Sequence, residues 1–140
     1  MQDRPTYDEL LSAVETFLGD LVTDLEAPRS FHARVAANAV ALVRRELEHE
    51  DRLLSTEWTR LDDLLGAEDP PANRADLKAA TRDRNETFCE RIRSGEYDEA
   101  SAADRAFNYV RSTVRDKLQV SDPALLKRSE SRKPISTDHV

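Results

Sequence analysis

The 140-residue chain has little of the residue types on which many small folds and metal sites depend. It contains one cysteine, Cys89, so neither an intramolecular disulfide nor a zinc site built from several cysteines can form. Its three histidines, His32, His49 and His139, follow no spacing typical of zinc ligands. The three glycines lie too far apart along the chain to assemble a glycine-rich phosphate loop. We therefore expect no metal and no cofactor.

Other absences concern membranes and nucleic acids. No apolar run approaches the ~20 residues that a membrane-spanning helix needs. The first residues, Met-Gln-Asp-Arg-Pro, lack the basic and then apolar order of a signal peptide. The net charge of −7 disfavours binding to a nucleic acid duplex, which favours a basic protein face. These features predict a cytoplasmic protein with neither a membrane nor a nucleic acid as its partner.

What the sequence does have is helical periodicity. Hydrophobic residues make up 39% of the chain, enough for one domain with a core of its own. They recur at spacings of three and four residues, and no strand-like alternation of any length appears. We predict an all-α fold, a single compact irregular bundle of about five helices around a central apolar helix, formed by residues 1–123. Residues 124–140 have no apolar period, and we predict a disordered tail there.

The predicted helices follow from caps, breakers and apolar stripes. The first begins at a capping box, Thr6 with Glu9, and ends before Pro28. The second covers about residues 30–48 and is nearly all apolar from 31 to 43, which is typical of a central helix. Its charged residues 44–52 mark a solvated end or a break. The remaining helices are expected at 53–65, followed by Gly66 as the C′ residue, at 73–94, capped by Asn73, and at 101–118. The stripe of the last helix is Ala103, Ala106, Phe107, Val110, Val114 and Leu118.

Three polar residues on the second helix form the main candidate site. Arg34, Asn38 and Arg45 project within about 40° of one another on a helix of 100° per residue. Two cations and an amide on one face can hold a carboxylate or a phosphate. The preferred interpretation is structural, with Arg34 buried and paired with a carboxylate from another helix. The alternative is contact with a ligand or a partner.

Three further residues are weaker candidates for a functional role. His32, at the start of the second helix, is interpreted as a partly buried histidine, since no nucleophile motif stands near it in the sequence. Cys89 lies on or beside the inner stripe of the fourth helix, which favours a small buried hydrophobe over a reactive thiol. Asn85 lies one turn before Cys89, and we expect it to complement the polar face that carries Arg34.

Several segments resemble a family of short bacterial proteins catalogued only as a domain of unknown function. They are residues 31–39 with 43–47, residues 89–98, residues 114–123, and the opening residues 4–6 followed by Leu10, Leu11 and Val14. Together they span about residues 4–123. The family supplies no catalytic residue.

The resemblance implies a small helical accessory protein in acyl-CoA metabolism. Members of the family tend to be encoded beside aminoglycoside-phosphotransferase-like proteins and acyl-CoA dehydrogenases, and such proteins are the implied partners. Three functions stay open. The first is a non-catalytic accessory protein. The second is a binder of an acyl- or CoA-type anion through Arg34, Asn38 and Arg45, with His32 and Asn85 nearby. An enzyme, which would need His32 and Cys89 to converge in a cleft, is the third.

Overall fold

The computed structural model of the protein describes residues 4–131, which form five α-helices and no strand. The all-α prediction is confirmed. The helices are α1 (Tyr7–Asp24), α2 (Arg29–Leu65), α3 (Arg74–Arg93), α4 (Ala100–Ser121) and α5 (Pro123–Ser131).

Local sequence signals set most of the helix ends. The Thr6 hydroxyl accepts the backbone N–H of Glu9, and the Glu9 carboxylate accepts the N–H of Thr6. Asn73 starts α3 by accepting the N–H of Asp76. Gly66 directly follows α2 with a φ of 102°, a conformation in which a Cβ is strained. These caps were predicted from the sequence and are confirmed.

The segments predicted as helices at 30–48 and 53–65 are one continuous helix, α2, so their description as two separate helices is wrong. The charged residues 44–52 contain no glycine and no proline, and arginine, glutamate and leucine are among the better helix formers. The loss of apolar residues there marks a solvated stretch of helix. Periodicity alone cannot separate that outcome from a break.

The chain divides into two compact units at a boundary within α2, between Glu50 and Asp51. The first unit holds α1 and the first half of α2, and the second holds the rest of α2 with α3, α4 and α5. That residues 1–123 form one domain stays a prediction.

The core of the second unit is aromatic. It consists of Leu61, Phe88, Tyr97, Ala102, Ala106 and Tyr109. The Phe88 ring meets the rings of Tyr97 and Tyr109 edge to face, with centroids 5.3 and 5.1 Å apart. This cluster packs on the second half of α2, through the fully buried Leu61.

The first unit is a hairpin of two helices. Arg44 of α2 ties them together by ion pairs of 3.5 Å to Asp8 and 3.1 Å to Glu15 of α1. Helix α1 has no buried residue, and of residues 29–50 only Ala33 and Ala41 are buried. The apolar residues 31–43 are therefore much more exposed than a central helix predicts. Two helices share one interface, so each buries one narrow stripe.

In α4 the inward side differs from the predicted stripe. Ala102, Ala106, Tyr109 and Thr113 are buried, whereas three residues expected to face inward are exposed: Phe107, Val110 and Val114. The apolar arc of α4 is wider than the face that the core covers. Small residues and tyrosine occupy the covered part, because Phe88 and Leu61 already fill the space.

The last helix lies where the sequence indicated a tail. Residues Pro123–Ser131 form α5, and the Asp122 carboxylate accepts the backbone N–H of Leu125 at 2.8 Å in its first turn. The predicted disorder of residues 124–140 thus does not apply to the part that forms α5. The remainder of that segment, residues 132–140, lies outside the described residues.

The continuity of α2 can be tested with proline at an exposed position. We expect Glu48→Pro to lower the free energy of unfolding by about 3 kcal/mol, because proline removes an i→i−4 hydrogen bond and clashes with the preceding turn. Glu48→Ala is the matched control and should change stability by less than about 0.5 kcal/mol. Urea unfolding followed by far-UV circular dichroism measures both. A proline variant as stable as the alanine variant would indicate a break at this point.

Candidate functional site

The structure places Arg34 and Asn38 on the surface of α2 and leaves Arg45 half-buried. The three lie on one side of a continuous helix, as the spacing predicted. Arg34 forms no ion pair or hydrogen bond with any residue that the structure describes. The preferred interpretation of Arg34 as a buried, internally paired residue is therefore wrong, because the two-helix hairpin supplies no third helix to cover it.

Apolar side chains share this side of α2. Phe31, Val35 and Leu42 are 60%, 50% and 38% exposed. With Arg34, Asn38 and Arg45 they recur at spacings of three and four residues, so all six lie along one helical face. We call this set the Arg34 face. It is an exposed apolar strip with guanidinium and amide donors at its side, and it has the residue types to contact a partner.

His32 and Cys89 do not belong to this face. His32 is exposed, points about 160° away from Arg34 on the helical wheel, and meets the Phe31 ring at 6.0 Å edge to face. Cys89 is an exposed free thiol, so the prediction that it is a small buried hydrophobe is wrong. The two residues belong to different units of the chain.

Asn85 lies in a polar cluster inside the second unit. Its amide nitrogen donates to Glu57 Oε1 at 2.8 Å and to the Thr81 carbonyl at 3.0 Å, and its oxygen accepts the Tyr109 hydroxyl at 2.6 Å. Asn85 thus contacts α2 at Glu57, twelve positions beyond Arg45, and its partners are not those of the Arg34 face. Its amide is satisfied from within the fold, which is a structural role.

Tyr109 is the titratable group that this cluster perturbs most strongly. Burial raises the pKa of the Tyr109 phenol, and the negative charge of Glu57, whose Oε1 lies 3.2 Å from the hydroxyl, raises it further. The phenol is therefore held neutral as a hydrogen-bond donor. The sequence predicted that Asn85 complements the polar face that carries Arg34, and it did not indicate Tyr109 or Glu57 as partners. No local signal connects residues so far apart in the chain.

Arg84 is a buried cation that the sequence analysis did not identify. Its side chain donates to Asp62 Oδ1 at 2.8 Å and to the Gly66 carbonyl at 2.6 Å, and its guanidinium lies 4.4 Å from the centroid of the Trp58 ring. Trp58 in turn donates to the Glu68 carbonyl at 3.1 Å. The group joins α3 to the last turn of α2 and the loop that follows. Since Arg84 is paired, stacked and enclosed, it positions the helices and is not open to a ligand.

The described part of the chain contains neither a cluster of metal-ligating side chains nor a membrane-spanning helix. Among residues 4–131, no three histidine, cysteine or carboxylate side chains gather closely enough to hold a metal ion. In the same range no helix combines the length and the apolar character that crossing a membrane requires.

The comparisons with known proteins give a family. The family model "Domain of unknown function (DUF6285)" matches residues 23–125, so the chain belongs to this family. The resemblance drawn from the sequence is confirmed. No curated protein and no solved structure matches the chain.

The polar cluster around Tyr109 gives a test at neutral pH. We expect Tyr109→Phe to lower the free energy of unfolding by about 1–3 kcal/mol, because Asn85 Oδ1 and Glu57 lose a buried donor. Tyr7→Phe, which alters an exposed tyrosine, is the control and should leave stability unchanged. Urea unfolding measures the difference. Equal stabilities for the two variants would show that the hydroxyl contributes nothing.

The same pair of variants tests the raised pKa of Tyr109. A folded-state pKa above the unfolded value of about 10 means that the stabilisation is present below pH 10 and is lost as the pH rises beyond it. The wild type should therefore lose stability with rising pH above about 10, and Tyr109→Phe should lose less. Unfolding curves between pH 7 and pH 11 give the slopes. A slope that is the same in Tyr109→Phe and in Tyr7→Phe would contradict the assignment.

Proposed function

We propose that this member of the family is a non-catalytic accessory protein that binds a protein partner through the Arg34 face. The observation that carries the proposal is the exposed strip of Phe31, Val35 and Leu42 beside Arg34 on one face of α2. Aromatic residues and arginine are enriched where proteins meet. An apolar strip that a partner covers is stabilised by burial, and the donors beside it fix the orientation.

The charge of the face indicates the chemistry of the partner. Arg34 is a cation in a chain with 21 basic and 28 acidic residues, and no described residue pairs with it. A partner surface with a carboxylate near an apolar groove would satisfy both the guanidinium and the strip. We propose a groove that accepts one face of a helix, a common form of recognition in which contacts recur every three or four residues.

The resemblance noted from the sequence suggests which proteins to examine first. It implies that members are encoded beside aminoglycoside-phosphotransferase-like proteins and acyl-CoA dehydrogenases. We propose that a phosphotransferase-like or acyl-CoA dehydrogenase-like protein is the partner, and that the role lies in cytoplasmic acyl-CoA metabolism.

A small acidic ligand is the alternative. Arg34 and Asn38 lie four residues apart on α2 and are both exposed, so both can donate to one phosphate or carboxylate of an acyl- or CoA-type molecule. Sites for small molecules are usually concave and enclose most of the ligand. The Arg34 face is the convex side of a helix, and this shape favours a protein partner.

Co-purification with a charge-reversed variant tests the proposal. We expect the tagged wild type, expressed in its native host, to retain a phosphotransferase-like or acyl-CoA dehydrogenase-like protein that Arg34→Glu loses by at least tenfold. Arg82→Glu reverses an exposed arginine of α3 and should retain the partner. Mass spectrometry identifies and quantifies the retained protein. Equal retention by the two variants would contradict the role of the Arg34 face.

Thermal melts separate the protein partner from the ligand. Because Arg34 has no internal partner among the described residues, we expect Arg34→Ala to melt within about 1 °C of the wild type. A CoA thioester should not shift the melting temperature of either protein if the partner is a protein. A rise for the wild type that is absent in Arg34→Ala would instead support the anion-binding alternative.

A further inference from the structure

Helix α1 presents apolar residues on two adjoining sides. One side packs on α2 through half-buried residues that include Leu11, Leu18 and Val22. The other side is exposed and carries Tyr7, Leu10, Val14 and Phe17, at 54%, 47%, 46% and 61% exposure. These four positions project within about 80° of one another, roughly a quarter turn from the packed side. The apolar surface of α1 is wide enough to contact two neighbouring elements, and α2 is one of them.

The first half of α2 extends this exposed side. The ion pairs of Arg44 with Asp8 and Glu15 near the start of α1 show that the two helices run antiparallel. In an antiparallel pair, positions rotated in the same sense from the shared interface lie on the same side of the hairpin. Val43 and Leu47, 46% and 41% exposed, are rotated from their interface in the same sense as the exposed residues of α1.

We call the exposed set Tyr7, Leu10, Val14, Phe17, Val43 and Leu47 the hairpin face. We propose that the hairpin face is the contact between two copies of this chain, which close their hairpins into a four-helix bundle. The Arg34 face lies on other positions of α2, so this proposal is independent of the proposed function.

Helix α1 would gain stability from a partner that is always present. An isolated helix of 18 residues is marginal in water, and the half-buried residues through which α1 packs on α2 offset only part of the entropy lost on ordering. A partner that is present only at times would leave α1 without that stabilisation. A second copy is available whenever the chain itself is.

The composition of the face suits pairing with itself. None of its six residues carries a charge, so two copies can meet without burying an unpaired ion. An isologous contact needs such a self-complementary patch. Arg44, which neighbours Val43 in the sequence, is held by the carboxylates of its own hairpin.

The six residues of the hairpin face supply part of the area that a dimer needs. With aromatic side chains of ~200 Å² and the exposures given above, the six residues expose roughly 400 Å². A standard interface buries ~800 Å² on each partner. Small residues between them, such as the exposed Ala39, supply part of the remainder.

Helix α4 has exposed apolar residues too, but it does not depend on a second copy for its stability. Phe107, Val110 and Val114 are as exposed as those of α1, but the opposite side of α4 is anchored in the core. The Arg111 guanidinium also lies 5.9 Å from the centroid of the Phe107 ring. These residues therefore provide matched controls.

Molar mass in solution tests the proposal. We expect size-exclusion chromatography with light scattering to give the wild type twice the mass of the chain at micromolar concentration. Phe17→Glu should elute as a monomer, whereas Phe107→Glu, at a similarly exposed phenylalanine, should remain a dimer. A monomeric wild type would overturn the proposal. A Phe17→Glu variant that remains a dimer, or a Phe107→Glu variant that becomes a monomer, would also overturn the assignment to this face.

A milder pair of variants covers the case in which Phe17→Glu unfolds. Val14→Thr keeps the shape of the side chain and places a hydroxyl on the hairpin face, which should weaken the dimer about tenfold or more. Val114→Thr makes the same change on α4 and should leave the dissociation constant within about twofold. Sedimentation equilibrium measures both constants. Equal effects of the two substitutions would overturn the proposal.

Discussion

The continuity of α2 is the constraint on which the rest of the structure depends. One helix of 37 residues serves both compact units, and each unit must cover its share of α2 with what the remaining chain supplies. The second unit supplies α3, α4 and α5, and it builds an aromatic core around Leu61. The first supplies α1 alone. Burial is therefore uneven along α2. Its charged middle, residues 44–52, consists largely of good helix formers and keeps the helix continuous between the apolar stripes of the two units.

Within the second unit, polar groups fix how the helices meet. Arg84 joins Asp62, the Gly66 carbonyl and the Trp58 ring, so one cation specifies the position of α3 against the end of α2. Glu57, Asn85 and Tyr109 do the same for α2, α3 and α4. Buried polar groups contribute less to stability than apolar packing does. Their requirement for specific partners selects one arrangement of the helices over others with the same hydrophobic burial.

The sequence predicted the features that short-range chemistry determines. Thr6 with Glu9, Asn73 and Gly66 carry the caps and turns in their immediate neighbourhood, and the all-α class follows from the three- and four-residue spacing. Prediction from the sequence failed where the burial of a side chain depends on residues distant in the chain. Arg34 was expected inside because alanine and valine surround it, yet the hairpin has no third helix to enclose it. Phe107 was expected inside because it lies on the apolar stripe of its helix, whereas Tyr109 is the buried aromatic residue of α4.

The account describes a second unit stabilised by its own core and a hairpin that needs a cover from outside. Hydrogen exchange of the α1 amides, followed from nanomolar to high micromolar chain concentration, tests this difference directly. Protection of α1 should rise with concentration as copies associate, while protection around Phe88 of α3 and Tyr109 of α4 stays constant. Protection of α1 that equals that of α3 and does not change at any dilution would contradict the account.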